Sequence, residues 1–198
     1  ISFTKKKLTK KYGNADYKYE VTTNSTGKVV YRSSNTAVAD PDQFGYITIK
    51  KAGSCTITAR VAADANYKSA SAGYQLVVSK KDMTKKKVKL SKTSYIYAGK
   101  NCKPKAVVSG LARSDYKVTY KNADKPGTAI CVITGKGNYS GKIEVPYSIN
   151  LAKTVITKIT NKKSGVSLTW KKVAGAKGYR IYRRTKNGSW KRIRELTS

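Results

Sequence analysis

GTAICVITGKGNYSGKIEVPYSI, running from Gly127 to Ile149, is the stretch whose reading decides the fold. An apolar run from Ala129 to Ile133 precedes a Gly-Lys-Gly-Asn centre, and polar and apolar residues alternate after it from Lys142 to Ile149. That pattern predicts a strand, a tight glycine turn and a returning strand. An earlier copy, GSCTITARVAADANYKSASAGYQLVV, runs from Gly53 to Val78. Each copy starts at a glycine, alternates, reaches an Asn-Tyr pair and closes on a tyrosine and aliphatic residues. Asn66-Tyr67 and Asn138-Tyr139 are 72 residues apart. A solenoid turn is much shorter than that, whereas a small β-sandwich is about that long. The sequence therefore predicts an all-β chain of tandem modules.

Working outward, residues 1–12 form a lysine-rich lead into a first strand, and Gly13-Asn14 is a turn signal. Tyr17 to Thr22 alternates as a strand, and Val29-Val30-Tyr31 is a short apolar run ended by Ser33-Ser34-Asn35. Asp40-Pro41-Asp42-Gln43-Phe44-Gly45 has turn composition. A strand is expected over Tyr46 to Lys50, a hairpin turn at Ala52-Gly53, and a second strand over Cys55 to Val61. Asp64 to Ala72 reads as a loop and Tyr74 to Val78 as the closing strand. Residues 80–87 are polar and lysine-dense, as a solvated linker would be. A second module is expected over 88–150, where Tyr116, Val118 and Tyr120 face one way and Lys117 and Thr119 the other.

The run YRSSNTAVADPDQFGYITIKKAGSCTITA resembles the bacterial immunoglobulin-like group 2 domain of surface proteins. The resemblance rests on Ser33-Ser34-Asn35, Val38-Ala39, Gly45, Ile47-Thr48-Ile49, Gly53 and Ile57-Thr58-Ala59, and it covers most of residues 1–79. Cys55 departs from it, since a small or hydroxyl residue is usual there. Residues 86–150 resemble another short immunoglobulin-like repeat of exported Gram-positive proteins, through Tyr116-x-Val118-x-Tyr120, Gly127-Thr128-Ala129 and Gly135-x-Gly137-Asn138-Tyr139. GVSLTWKKVAGAKGYRIYRR, within residues 151–198, resembles the start of a fibronectin type III domain, with Trp170, Tyr179 and Ile181 at the matching places. The family continues for several strands beyond the point matched by Trp190. That implies a partial module, poorly ordered or completed by another chain. These resemblances imply tandem immunoglobulin-like β-sandwiches (1–79 and 88–150) followed by a partial fibronectin type III-like segment (151–198). They also imply an extracellular location, at the surface of a Gram-positive bacterium.

The chain has 42 Lys and Arg against 10 Asp and Glu, a formal net charge of +32. An excess of that size calls for anionic surroundings. Lys5, Lys6 and Lys7, with Lys85, Lys86 and Lys87, are the candidate polyanion contacts. Acidic cell-wall polymer or acidic glycan is the expected partner, together with other modules of the same parent chain. Nucleic acid fits the charge but is disfavoured, because the sequence has no recognition helix, RNP-like strand or zinc knuckle.

Histidine is absent, which removes Ser-His and Cys-His nucleophile arrangements and the commonest metal ligand. The ten acids are scattered and fall mostly in turns, a poor basis for a glycosidase pair. Asp40-Pro41-Asp42 reads as a turn rather than a cation loop, and Gly135-Lys136-Gly137 lacks the strand–loop–helix frame of a phosphate loop. No catalytic, cofactor or metal site is expected. The three cysteines leave two readings open: all three as buried hydrophobes, or a Cys102–Cys131 bridge with Cys55 free. Tyrosine, 15 residues in all, often adjoins Lys or Arg, as in Tyr17-Lys18-Tyr19 and Asn66-Tyr67-Lys68. Half-buried strand positions account for most of these, and stacking on sugar rings is the alternative. No run of 18 apolar residues is present, so no membrane-spanning helix is expected. The start at Ile1, without a signal-peptide pattern, reads as a segment of a longer chain. The expected function is a non-catalytic spacer or adhesion fragment. The alternative is an accessory region of a secreted hydrolase with its catalytic domain elsewhere.

Overall fold

The computed structural model describes residues 1–197. They form strands, with one 3-10 turn at Arg113–Asp115 and no α-helix among them. The protein is all-β. Its residues fall into two compact units, one comprising Ile1–Lys87, Gly110–Lys117 and Thr134–Ile143, the other Val88–Ser109, Val118–Ile133 and the residues from Glu144 onward.

The first unit contains β1 (Lys7–Lys11), β2 (Tyr17–Lys18), β3 (Val29–Ser33), β4 (Ala39–Pro41), β5 (Tyr46–Ile49), β6 (Gly53–Val61), β7 (Ala70–Ser79) and β8 (Lys81–Asp82). One sheet has the order β1-β7-β6-β3 and another the order β2-β5-β4. In β6 and β7, Cys55 faces Leu76, Ile57 faces Tyr74 and Ala59 faces Ala72. These residues point inward together because register and side-chain period agree. With Phe3, Val38, Ala39, Ile47 and Val78 they make one continuous core. Full burial of each large aliphatic side chain contributes about 1.5–3 kcal/mol. Tyr74 sits at the centre, edge-on to Phe3 and Tyr19, and its hydroxyl is hydrogen-bonded to that of Tyr17 at 3.2 Å.

Two pairings differ from the sequence expectation. The turn before Gly53 does not close a hairpin: β5 pairs with β2 and β4, whereas β6 pairs with β3 and β7. The chain crosses here from one sheet to the other. Alternation fixes which side chains face inward, not which strand lies alongside, so it is the same for two such strands as neighbours or in opposite layers. The lysine-rich lead, β1, joins β7 in parallel, with Leu8 opposite Leu76. The loop expected up to Ala72 is also shorter, because β7 begins at Ala70.

Within the lysine-dense stretch 80–87, Lys81 and Asp82 pair in parallel with β14 (Tyr139–Ser140). Met83 is fully buried. The Tyr12 and Tyr139 rings meet edge-on at 5.7 Å, and Ala52 N–H donates to Asn138 Oδ1 at 2.9 Å.

The second unit draws on β9 (Val88–Leu90), β10 (Ser94–Ile96), β11 (Ala106–Val108), β12 (Tyr116–Lys121), β13 (Gly127–Gly135) and β15 (Lys142–Asn150). The sheet order is β10-β15-β13-β12, and β9 and β11 form an antiparallel pair. Ala129, Cys131, Ile133, Tyr147 and Ile149 are buried, and the Tyr147 hydroxyl donates to Cys102 O at 2.6 Å. Two hairpins follow: β16 (Ile156–Lys162) with β17 (Gly165–Trp170), and β18 (Gly178–Arg183) with β19 (Lys191–Thr197). The Trp170 and Tyr179 rings lie 5.3 Å apart, and Val173 N–H donates to the Tyr179 hydroxyl at 2.7 Å.

The Cys102–Cys131 bridge is not formed. Cys55, Cys102 and Cys131 are all free, buried thiols. The Cys102 thiol is directed at the Lys100 carbonyl, 3.5 Å away, while Cys131 packs as an inward residue of β13. Burial pushes the Cys55 and Cys131 thiols up in pKa, towards the neutral form.

Candidate functional site

The candidate surface is built from cations on rigid β-scaffold. No charged side chain is buried among the described residues, so the whole charge excess faces outward. Lys5, Lys6 and Lys7 are exposed on the approach to β1. Their backbone is held in place: Gln75 N–H donates to Lys6 O at 2.9 Å and Lys7 pairs with Gln75. Lys85 and Lys87 are exposed and Lys86 half-buried. They follow a turn fixed by the Asp82 carboxylate, which accepts Thr84 N–H at 2.9 Å and the Thr84 hydroxyl at 2.7 Å. Those bonds hold the Asp82 pKa below the usual carboxylate range. Lys86 N–H donates to Met83 O at 2.9 Å, so the buried methionine anchors the same turn. The two lysine triplets stand on separate elements of the first unit.

The acids are occupied with structure. Asp42 Oδ1 accepts Phe44 and Tyr46 N–H at 2.8 and 2.9 Å, and Asp40 pairs with Lys50 at 2.6 Å, which makes the Asp40-Pro41-Asp42 stretch a strand end and a capped turn. Asp64 gathers the Ser25 hydroxyl and the N–H groups of Thr26, Asn66 and Tyr67, and this set of donors lowers its pKa strongly. Glu144 pairs with Lys121, and Glu195 with Arg180 and Arg192. Among the described residues no group of three or more Cys, Asp or Glu side chains converges as a metal site would require.

Sequence adjacency does not decide the cation–aromatic contacts. Lys10 Nζ lies over the Tyr17 ring at 4.2 Å, Lys18 over Tyr46 at 5.9 Å and Lys103 over Tyr120 at 6.0 Å. Residues adjacent on a strand point to opposite faces, so Lys18 cannot cover Tyr17 or Tyr19 and reaches its cross-strand partner instead. A register-aware reading of β2 against β5 is the signal that would have found that pair. The two Asn-Tyr motifs also diverge, since Tyr139 packs on Tyr12 while Tyr67 is largely exposed.

No helix among the described residues is long and apolar enough to cross a membrane. The chain spans about a third of two of the solved structures it is similar to. It shares 13% identity (TM-score 0.30) with a SusE-like surface-located polysaccharide-binding protein from the Bacteroides thetaiotaomicron heparin utilisation locus, covering 80% of this chain and 34% of that one. With PcdhgB3 EC1-4 the identity is 11% and the TM-score 0.30, over 98% of this chain and 74% of that one. With domains 1–6 of the surface layer protein SbsC the values are 11% and 0.22, over 93% and 31%. No curated protein matches the chain in sequence. Residues 21–64, which carry β3 to β6, match the family model of the intimin immunoglobulin-like domain.

Proposed function

We propose that the chain is a non-catalytic, immunoglobulin-like part of an exported bacterial surface protein, and that its lysine coat holds an acidic polymer. The modules are those at 1–79, 88–150 and 151–198, with 80–87 as the connection. The first belongs to the group 2 immunoglobulin-like type and the last is fibronectin type III-like. The setting is the surface of a Gram-positive cell. The partner is an acidic wall polymer or acidic glycan, and Lys5–Lys7 and Lys85–Lys87 are among its contacts.

One observation carries the reading: a charge of +32 borne by an all-β chain in which no charged side chain is buried among the described residues. Lysines on such a surface act as mobile point charges that neutralise repeated anionic groups without requiring one geometry. The attraction is a sum over many weak contacts and is screened by salt, with a Debye length of about 8 Å at physiological ionic strength.

The test is a titration with teichoic-acid-like polymer and with a sulfated glycan across a range of ionic strengths, with duplex DNA as competitor at fixed salt. Binding that weakens steeply with salt and resists the competitor is expected. Binding indifferent to salt, or none at low salt, overturns the electrostatic mechanism, and equal displacement by DNA overturns the assigned partner class.

A further inference from the structure

Residues 1–79 carry ten lysines and two arginines, Arg32 and Arg60, and the fold brings the two arginines together. In the β3–β6 ladder Arg32 pairs with Thr58 and Arg60 with Val30, so the two are diagonal neighbours on one face of the sheet. Such neighbours stand about 7–8 Å apart at their roots. Both are exposed and alternate with residues turned to the core, Arg32 with Tyr31 and Arg60 with Ala59 and Val61. With Val30, Thr58 and Ser71 they line a depression of about 390 Å³ on the outer face. Gly73, opposite Thr58 on β7, keeps that depression open, since a Cβ there would stand between the Thr58 and Thr56 side chains at 3.4 and 3.5 Å.

The surroundings of the two guanidiniums are polar and free of acids. In the next row Thr56 pairs with Gln75, and Gln75 with Lys7 of β1. The four strands of this sheet hold no Asp or Glu, and their two tyrosines, Tyr31 and Tyr74, pack on the core side. Neither guanidinium is paired with a carboxylate among the described residues. Arg60 Nη2 donates to the Ser69 hydroxyl at 3.4 Å, which leaves its remaining donors directed outward.

We propose that this face binds an acidic polysaccharide, with Arg32 and Arg60 gripping its carboxylate or sulfate groups and Thr56, Thr58 and Gln75 bonding the hydroxyls of its rings. The inference rests on the acidic-polymer reading above and gives it a place and a geometry. A guanidinium is planar and forks onto two oxygens of one anion, which a lysine ammonium does not do. Hydroxyl and amide side chains on a rigid sheet are donors and acceptors already in place, so a stiff chain of rings loses little freedom on docking. A flexible chain of phosphodiesters meets the arginines but offers the hydroxyl and amide row no rings. Nucleic acid finds no stacking surface, because no aromatic side chain of these strands faces outward. A second copy of this chain brings a further +32 to a face that holds only cations.

The intact chain is titrated calorimetrically, at one fixed salt concentration, with polygalacturonate and with dextran sulfate. Poly(glycerol phosphate) serves as the ring-free polyanion and duplex DNA as the nucleic acid. The double variant Arg32→Lys, Arg60→Lys keeps the net charge and alters only exposed side chains, so its melting temperature should hold. Its affinity for the preferred polysaccharide is expected to fall about tenfold, with poly(glycerol phosphate) and DNA nearly unchanged. The polysaccharide that suffers the larger loss shows whether carboxylate or sulfate is the group gripped. Thr58→Val removes one hydroxyl, keeps strand propensity and should weaken the same polysaccharide about threefold. Equal affinity of parent and double variant for both polysaccharides overturns this site and leaves the charge-based reading standing. An equal loss towards poly(glycerol phosphate) or DNA overturns the sugar assignment, and a dimer of the parent chain that the double variant dissolves overturns the occupant. Absence of binding to every one of these polymers overturns the underlying reading, and this site with it.

Discussion

Tyr147 shows how much one hydroxyl does here. Its ring is buried and its O–H donates to the Cys102 carbonyl, which secures an irregular stretch lacking strand partners of its own. Burial pushes its pKa from 10.0 up to about 12. A phenol whose folded pKa is raised favours folding while neutral, so that contribution is complete below pH 10 and is lost as pH climbs through about 12. Tyr147→Phe is therefore expected to cost about 1 kcal/mol near neutrality, from the lost hydrogen bond, and to flatten the loss of stability between pH 10 and 12. Urea unfolding at several pH values measures both. Asp64 works with the opposite sign. Its carboxylate is held ionised by five donors, so its contribution is present above the ordinary carboxylate pKa of 3.8 and is lost as pH falls. Asp64→Asn should lower the melting temperature at neutral pH, and the gap from the parent should narrow as pH falls below the ordinary carboxylate value of 3.8. The inward place of Cys131 was legible from its position between Ala129 and Ile133. Which carbonyl the Tyr147 hydroxyl would find, 45 residues away, was not, because that bond depends on how two distant segments pack.

Turns and edges decide the elements. The turn at Asp42 works because its carboxylate caps two backbone N–H groups and because Gly45, at φ +86°, lets the chain reverse under the Tyr31 ring. A Cβ on Gly45 would come within 2.7 Å of that ring. Gly45→Ala is expected to cost about 1–3 kcal/mol, through both backbone strain and displacement of Tyr31, and thermal melts followed by near-ultraviolet circular dichroism would register it. The turn itself was legible from Pro, Asp and Gly content. The route of the chain after β5 was not: a hairpin was expected at Ala52-Gly53, yet the chain passes to the other sheet. Both outcomes turn the same residues inward, Ile47 and Ile49 on one strand and Cys55 and Ile57 on the next, so hydrophobic patterning does not separate them. The parallel pairing of β1 with β7 was equally hidden, since its partners are nearly 70 residues apart in the chain and no turn joins them.

For the whole molecule, charge is the dominant quantity. Substituting Lys5, Lys6, Lys7, Lys85, Lys86 and Lys87 by glutamine should reduce the logarithmic salt slope of binding to a densely charged polyanion by about five if all six neutralise anionic groups. Isothermal titration or fluorescence anisotropy at several salt concentrations gives that slope. A smaller change would assign binding to the many other lysines. Because five of these side chains are exposed and only Lys86 is half-buried, the substitutions should leave the melting temperature nearly unchanged.

The sequence by itself determined the all-β class, the inward faces of the strands and the outward excess of cations, since each follows from a local period of two and from the cost of burying charge. The immunoglobulin-like resemblance over most of residues 1–79 was likewise legible, because the residue types of the run from Tyr31 to Ala59 stand at fixed local spacings. Only the tertiary structure decided which strands lie side by side, that the three thiols stay free, which lysine covers which tyrosine, and that Arg32 and Arg60 share one sheet face. Those outcomes depend on contacts between residues far apart in the chain. Their energies arise from shape and register in three dimensions, and a one-dimensional pattern is the same for each arrangement.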